Sequence, residues 1–175
     1  MKALIVYESM YGNTHAVAEA VAAGLGGEPD VELCTTDEAT AARVAAADLV
    51  LVGGPTHVHG MASSTSREGA IKEAAKKSEL DLDPAVESES LRAWFDALDN
   101  VGGTSGVAFD TRASGPSILT GSAAKGIAKR MRKHGFNLVA GPESFIVKES
   151  GGPLEEGELD RALEWGRTLA AANST

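Results

Sequence analysis

Ala3-Leu4-Ile5-Val6-Tyr7-Glu8-Ser9-Met10-Tyr11-Gly12-Asn13-Thr14-His15 is the stretch from which the fold is read. Its first five residues are apolar without a break, the habit of a strand buried on both faces of a parallel sheet. The residues that follow make a turn. Ser9 and Thr14 bring hydroxyls, Asn13 an amide, and Gly12 permits close backbone approach. Beyond them Val17, Val21 and Leu25 recur at four-residue spacing, so a helix begins at once, with Asn13 or Thr14 able to cap it and Gly26-Gly27 ending it. The turn therefore lies between a buried strand and the positive end of a helix, a place suited to an anion.

The same alternation continues outward. Leu49 to Val52 and Gly106 to Phe109 read as further buried strands, and Val31 to Cys34 as a weaker edge strand. Leu138-Val139-Ala140 and Ser144-Phe145-Ile146-Val147 form a fifth strand interrupted by Gly141-Pro142, where proline imposes a bend, a bulge or an edge. Between the strands, helices are expected over Asp37 to Ala46, along Leu91, Trp94, Phe95 and Leu98, along Ala124, Ile127, Ala128 and Met131 up to Gly135, and along Leu159, Leu163, Gly166 and Leu169. Five such alternations define an α/β fold, a doubly wound five-stranded parallel sheet with helices on both faces. At 175 residues the chain fits one domain, 1–175, with an insertion at about 62–90. Ser66 to Lys77 looks helical and Leu80 to Pro84 a turn; a plain surface insertion is favoured over a lid on the tolerance of loops.

Composition narrows the function. A formal net charge of −9 disfavours nucleic acid and anionic membranes. Neither an apolar leader nor a membrane-length segment is evident, and the single Cys34 permits no internal disulfide, so a cytoplasmic monomer is expected. There is no GxxxxGK[ST] phosphate loop, and Gly24-Leu25-Gly26-Gly27 falls at a helix end rather than between strand and helix.

Leu4 to Thr14, with Ala18 and Val21 behind it, resembles the signature of the flavodoxin family. That resemblance implies strand order 2-1-3-4-5 and FMN as cofactor. It implies that Ser9, Asn13 and Thr14 hold the FMN phosphate through side chains, and Met10, Tyr11 and Gly12 mainly through backbone N–H groups. Gly53 to Met61 resembles the family loop that flanks the isoalloxazine ring, which assigns Pro55, Thr56, His57, Val58, His59 and Gly60 to the ring. His57 stands where many members carry a stacking aromatic, and the Val58–His59 peptide would approach flavin N5. Asp110, Thr111 and Arg112 resemble the loop covering the other face and the pyrimidine edge, but no aromatic stands between Asp110 and Gly135. Arg112 either compensates as a cation beside the ring or pairs with Asp110 at the surface.

His57 and His59 alone do not make a metal centre, which needs three or four ligands, so no metal is expected. Lys125, Lys129, Arg130, Arg132 and Lys133 complement a helix dipole, and a solvated face is favoured there over a docking surface. Trp94, Trp165 and Cys34 read as core. No catalytic side chain is expected. The leading function is an electron carrier between a flavoprotein or ferredoxin-type reductase and acceptor proteins, because the cofactor supplies the chemistry. The alternatives are an FMN-dependent NAD(P)H:quinone reductase and a flavin-free interaction module.

Overall fold

The computed structural model describes residues 1–27, 29–57, 60–76, 80–149 and 151–173. In chain order its elements are β1 (Ala3–Tyr7), α1 (Asn13–Leu25), β2 (Val31–Thr35), α2 (Ala41–Ala46), β3 (Leu49–His57), β4 (Gly60–Met61) and α3 (Ser64–Ala74). A 3₁₀ turn (Pro84–Glu87) then leads to α4 (Leu91–Ala97), β5 (Ser105–Ala113), α5 (Ser117–Thr120), α6 (Ala123–Lys133), β6 (Asn137–Leu138), β7 (Glu143–Val147) and α7 (Glu158–Ala172).

The sheet runs β2-β1-β3-β5-β6, and β7 continues beside β5. All these pairs are parallel; only β4, which the sequence did not suggest, runs antiparallel, on the end of β3. With β6 and β7 counted as one interrupted strand, the order is the expected 2-1-3-4-5. The interruption is a bulge. Residues 139–142 of this strand face only 107–108 of β5, because β6 pairs Ser105–Gly106 while β7 pairs Phe109–Ala113.

The two-residue period of the strands builds two cores. Leu4, Val6, Val50 and Val52 face one way, against Trp94, Phe95, Ile127 and Met131. Ile5, Leu49, Leu51 and Phe109 face the other, against Val17, Val21, Ala162 and Leu169. The helices therefore cover both faces, as a parallel sheet requires. Trp94 is buried and donates from Nε1 to the Ala39 carbonyl at 2.8 Å. Trp165 packs edge-on to Phe109 and Phe145. Cys34 is buried, which pushes its thiol up to about 11.

α1 and α7 touch backbone to backbone. A Cβ on Gly24 would lie 2.1 Å from the Leu163 carbonyl oxygen, and one on Gly166 2.4 Å from that of Val21. Only glycine fits either position, and the pair clamps α7 onto the helix that follows the first loop.

Several sequence expectations need correction. β3 extends to His57 and β5 to Ala113, so residues read as loop stand on strand ends. Their backbone groups keep pairing because β3 and β5 stay in register through Pro55↔Thr111. Neither Asn13 nor Thr14 caps α1; the cap position is Gly12, with no side-chain cap bond. The second helix is shorter than Asp37–Ala46, starting behind its Thr40 cap. Leu159 is exposed, not part of the buried stripe of α7. In the 62–90 segment the helix begins earlier than Ser66, because Ser63 and Ser66 form a reciprocal capping box.

Candidate functional site

The carboxyl ends of β1, β3 and β5 converge on a small, partly open cleft of about 90 Å³. Ser9, Met10, Tyr11, Asn13 and Thr14 form one wall, Pro55, Thr56 and His57 a second, and Thr111 and Arg112 a third. Ten of the fifteen residues singled out from the sequence therefore meet in one place. Ala113, Thr120 and Val147 complete the lining and were not anticipated. Among the described residues no carboxylate lines the cleft.

The first wall is a nest of neutral donors. Gly12 adopts φ 83°, a conformation that favours glycine, and its N–H donates to Ser9 Oγ at 3.1 Å. α1 starts directly after it, so the N–H groups of Asn13, Thr14 and His15 have no acceptor within the helix. Thr14 Oγ1 lies 2.7 Å from Thr111 Oγ1, tying the first wall to the third. The Asn13 amide donates to the Gly151 carbonyl at 3.1 Å, which fixes the chain between β7 and α7 against the loop. Behind the nest, His15 stacks on Tyr7 with ring centroids 4.6 Å apart, and its Nδ1 lies 3.0 Å from Asp83 Oδ2. Asp83 also donates its backbone N–H to the Met10 carbonyl at 2.8 Å, so residues beyond the 62–76 stretch buttress the turn.

On the second wall, burial holds the His57 imidazole below its ordinary pKa, partly offset by Glu73 of α3. The ring is therefore neutral at pH 7. Thr56 Oγ1 donates to Asp110 Oδ2 at 3.0 Å. Asp110 is fully buried and also accepts from Ser122 Oγ and the Ala124 N–H, both at 2.8 Å. Its carboxylate points to the start of α6 and does not line the cleft, unlike its neighbours Thr111 and Arg112. Gly60 sits in β4 beside Arg92, on an adjoining groove. Val58 and His59 lie outside the described residues.

Arg112 does not pair with Asp110. Its Nη1 donates to the carbonyls of Ala113 at 3.1 Å and Gly115 at 2.8 Å, and to Thr120 Oγ1 at 3.0 Å. Its Nε is buried without a hydrogen-bond partner. A braced cation on the cleft wall with one orphaned donor is the feature that a bound anionic or carbonyl-bearing group would satisfy.

Glu8 and Asp83 are buried charges that escaped the sequence reading. Glu8 is fully buried; its Oε2 accepts from the Leu91 N–H at 3.1 Å, and its Oε1 has no hydrogen-bond partner. Burial pushes its carboxyl above the usual range, opposed by the Leu91 N–H and the cations Arg67 and Arg92. A signal existed: the two-residue period places Glu8 on the face of Leu4 and Val6. Among the described residues no group of three or more His, Cys, Asp or Glu is placed to hold a metal, and no helix is long and apolar enough to cross a membrane.

A cleft at the carboxyl ends of a doubly wound sheet, walled by neutral donors at a helix start, defines a nucleotide- or flavin-binding α/β protein. The flavodoxin family model matches residues 5–166, and the chain belongs to the flavodoxin family, FMN-binding flavoproteins of electron transfer. No curated protein matches the chain significantly. Among solved structures, an archaeal flavodoxin is 20% identical over 100% of both chains, with a TM-score of 0.63. Flavodoxin 1 of Bacillus cereus is 18% identical, with 99% of this chain and 97% of the other covered and a TM-score of 0.63. A WrbA-like flavodoxin of Agrobacterium tumefaciens is 22% identical with the same coverage and a TM-score of 0.59. These likenesses establish the shared fold.

The residues present suit FMN. Its phosphate would meet hydroxyls and N–H groups, with no carboxylate among the described residues of the lining to repel it, and Arg112 Nε remains for a polar edge.

Proposed function

We propose that the chain is a carrier that passes electrons between a reductase and acceptor proteins, working as a one-domain cytoplasmic monomer. The observation that carries this reading is the cleft itself: neutral donors at the start of α1 and a braced Arg112 opposite them. Bound FMN supplies the electron chemistry. Ser9, Thr14 and the first N–H groups of α1 would hold the phosphate, with Met10, Tyr11, Gly12 and Asn13 shaping the turn. Pro55, Thr56, His57 and Gly60 would border the ring with Val58 and His59, and Thr111 and Arg112 its opposite side, while Asp110 positions the strand end. No side chain need act as acid or base in this reading.

An FMN-dependent NAD(P)H:quinone reductase is the second reading. It is favoured by the absence of an aromatic on the Arg112 side, which leaves that face open to a second substrate. The deciding experiment is anaerobic reduction of the FMN-loaded protein followed by visible spectroscopy. Reduction only through an added ferredoxin-type reductase supports the carrier. Direct oxidation of NAD(P)H with quinone supports the reductase. A protein with no affinity for FMN defeats both and leaves a flavin-free interaction module.

A further inference from the structure

Beside the cleft, between α4 and α6, runs an open groove of about 660 Å³. Its floor includes Met61 and its walls carry Arg92, Lys129, Arg130 and Lys133, with Asp96 as the one carboxylate among the described residues. The whole chain has a net charge of −9, so the basic groove stands against a surface that is otherwise even more acidic than that figure. Two of its cations already have structural roles. Arg92 donates from Nη2 to the Met61 carbonyl at 2.8 Å, and Arg130 pairs with Asp96 at 2.6 Å. Lys129 and Lys133 are exposed, four residues apart on α6, and neither makes a hydrogen bond or close ion pair among the described residues. Like charges at that spacing disfavour a helix, and only Lys133 lies in the last turn, where the dipole compensates.

The groove opens at Gly60, on the strand that pairs with His57, so it adjoins the cleft wall assigned to the ring. Its Ser122 end lies two residues beyond α5, on which Ile118 is 90% and Leu119 68% exposed. Exposed apolar side chains so close in the chain to a cationic groove suit a protein docking patch, in which apolar and charged groups lie together. A free phosphate or nucleotide would not use the exposed isoleucine and leucine.

We propose that this groove and the α5 tip form a docking surface for an acidic protein that exchanges electrons with the cleft. Opposite potentials would speed and orient the encounter even though the two proteins are both acidic overall. The inference rests on the carrier reading for the exchange of electrons; the binding test below is independent of it.

Two measurements test it, both with an acidic plastocyanin as probe. In the first, the FMN-loaded protein is photoreduced and mixed with oxidised plastocyanin, and one electron passes from the flavin to copper(II). The second-order rate constant should fall with added salt, and Lys129→Glu/Lys133→Glu should lower it about tenfold, a modest steering effect. The same variant should leave reduction of basic cytochrome c unslowed. A rate that rises with salt, or equal losses toward both acceptors, overturns the proposal. In the second, ¹⁵N-labelled protein is titrated with redox-inert, cadmium-substituted plastocyanin. Amide shifts centred on α6 and α5 support the surface without any need for flavin. Shifts produced equally by inorganic phosphate or adenosine monophosphate, and abolished by them for plastocyanin, reveal a small-anion site and overturn it. Loss of flavin binding with intact α6 shifts would defeat the carrier reading alone.

Discussion

Arg67 Nη1 lies 3.7 Å from Glu8 Oε1, linking α3 to the end of β1 through a pair largely removed from solvent. Arg67 also donates to the carbonyls of Val86 and Ser88, so one side chain gathers three parts of the 62–90 segment and the first strand. Breaking such a pair leaves a charge buried alone. Arg67→Met should destabilise the apoprotein by about 3 kcal/mol at pH 8, measured by urea unfolding. The loss should shrink at pH 5. Because the folded protein holds the Glu8 proton more tightly than the unfolded chain, stability from this group is full below the unfolded pKa and declines as pH rises through the folded one. Glu8→Gln in the Arg67→Met background should remove most of this pH dependence. A loss that is the same at both pH values would show that Glu8 does not carry it.

The Thr14–Thr111 contact predicts a split between two flavins. Thr14→Val should weaken FMN binding about tenfold to a hundredfold, the range for hydrogen bonds to a charged group. Riboflavin, which has the ring but lacks phosphate, should bind the variant and the parent alike. Fluorescence titration of both ligands decides it; equal losses would place Thr14 elsewhere in the site.

Arg112 should set the potential. Arg112→Ala removes a braced cation from the cleft wall, and the midpoint potential of the bound flavin should drop by about 60 mV, equivalent to a tenfold change in a one-electron equilibrium. Arg112→Lys should restore only part of it, since a flexible, strongly hydrated ammonium keeps the charge but lacks the guanidinium Nε–H donor left free beside the cleft. A spectroscopic redox titration with unchanged midpoints in both variants would exclude the electrostatic role.

His57 adds an acid-side dependence. Its pKa is lowered in the folded protein, so its contribution to stability is complete above the unfolded value of about 6.5 and is lost as pH falls through the folded value. His57→Gln should therefore narrow the difference between apoprotein melting temperatures at pH 7.5 and pH 5. An identical difference in both proteins would mean that burial of His57 has no consequence for stability.

At the far end of α1, Gly166→Ala must displace backbone rather than a flexible side chain. A destabilisation of about 2–3 kcal/mol is expected, typical of overpacking. It should reach the cleft too, lowering FMN affinity through α1. A variant as stable as the parent would show that the α1–α7 contact relaxes freely.

The sequence made the architecture legible because buried parallel strands write themselves as continuous apolar runs. Ala3–Tyr7, Leu49–Val52 and the Gly141-Pro142 interruption each found their counterparts in the sheet. Most of the candidate site was legible for a related reason: it lies where those strands end. What escaped depends on partners distant in the chain. Nothing local to Asp110 says that its carboxylate turns toward Ser122 and Ala124 rather than the cleft. Nothing local to Arg112 names Thr120, and Arg67 meets Glu8 across 59 positions of sequence. The ends of β3 and β5 were missed because proline, threonine and arginine there obscure a ladder that their mutual register maintains.

The bulge at residues 139–142 also bears on how open this border of the sheet is to pairing with another chain. A long, straight outer strand would offer a continuous row of free amides and carbonyls onto which another chain could stack. Here that border is broken into segments of two and five residues out of line with each other, too short and too kinked to seed a shared ribbon between molecules.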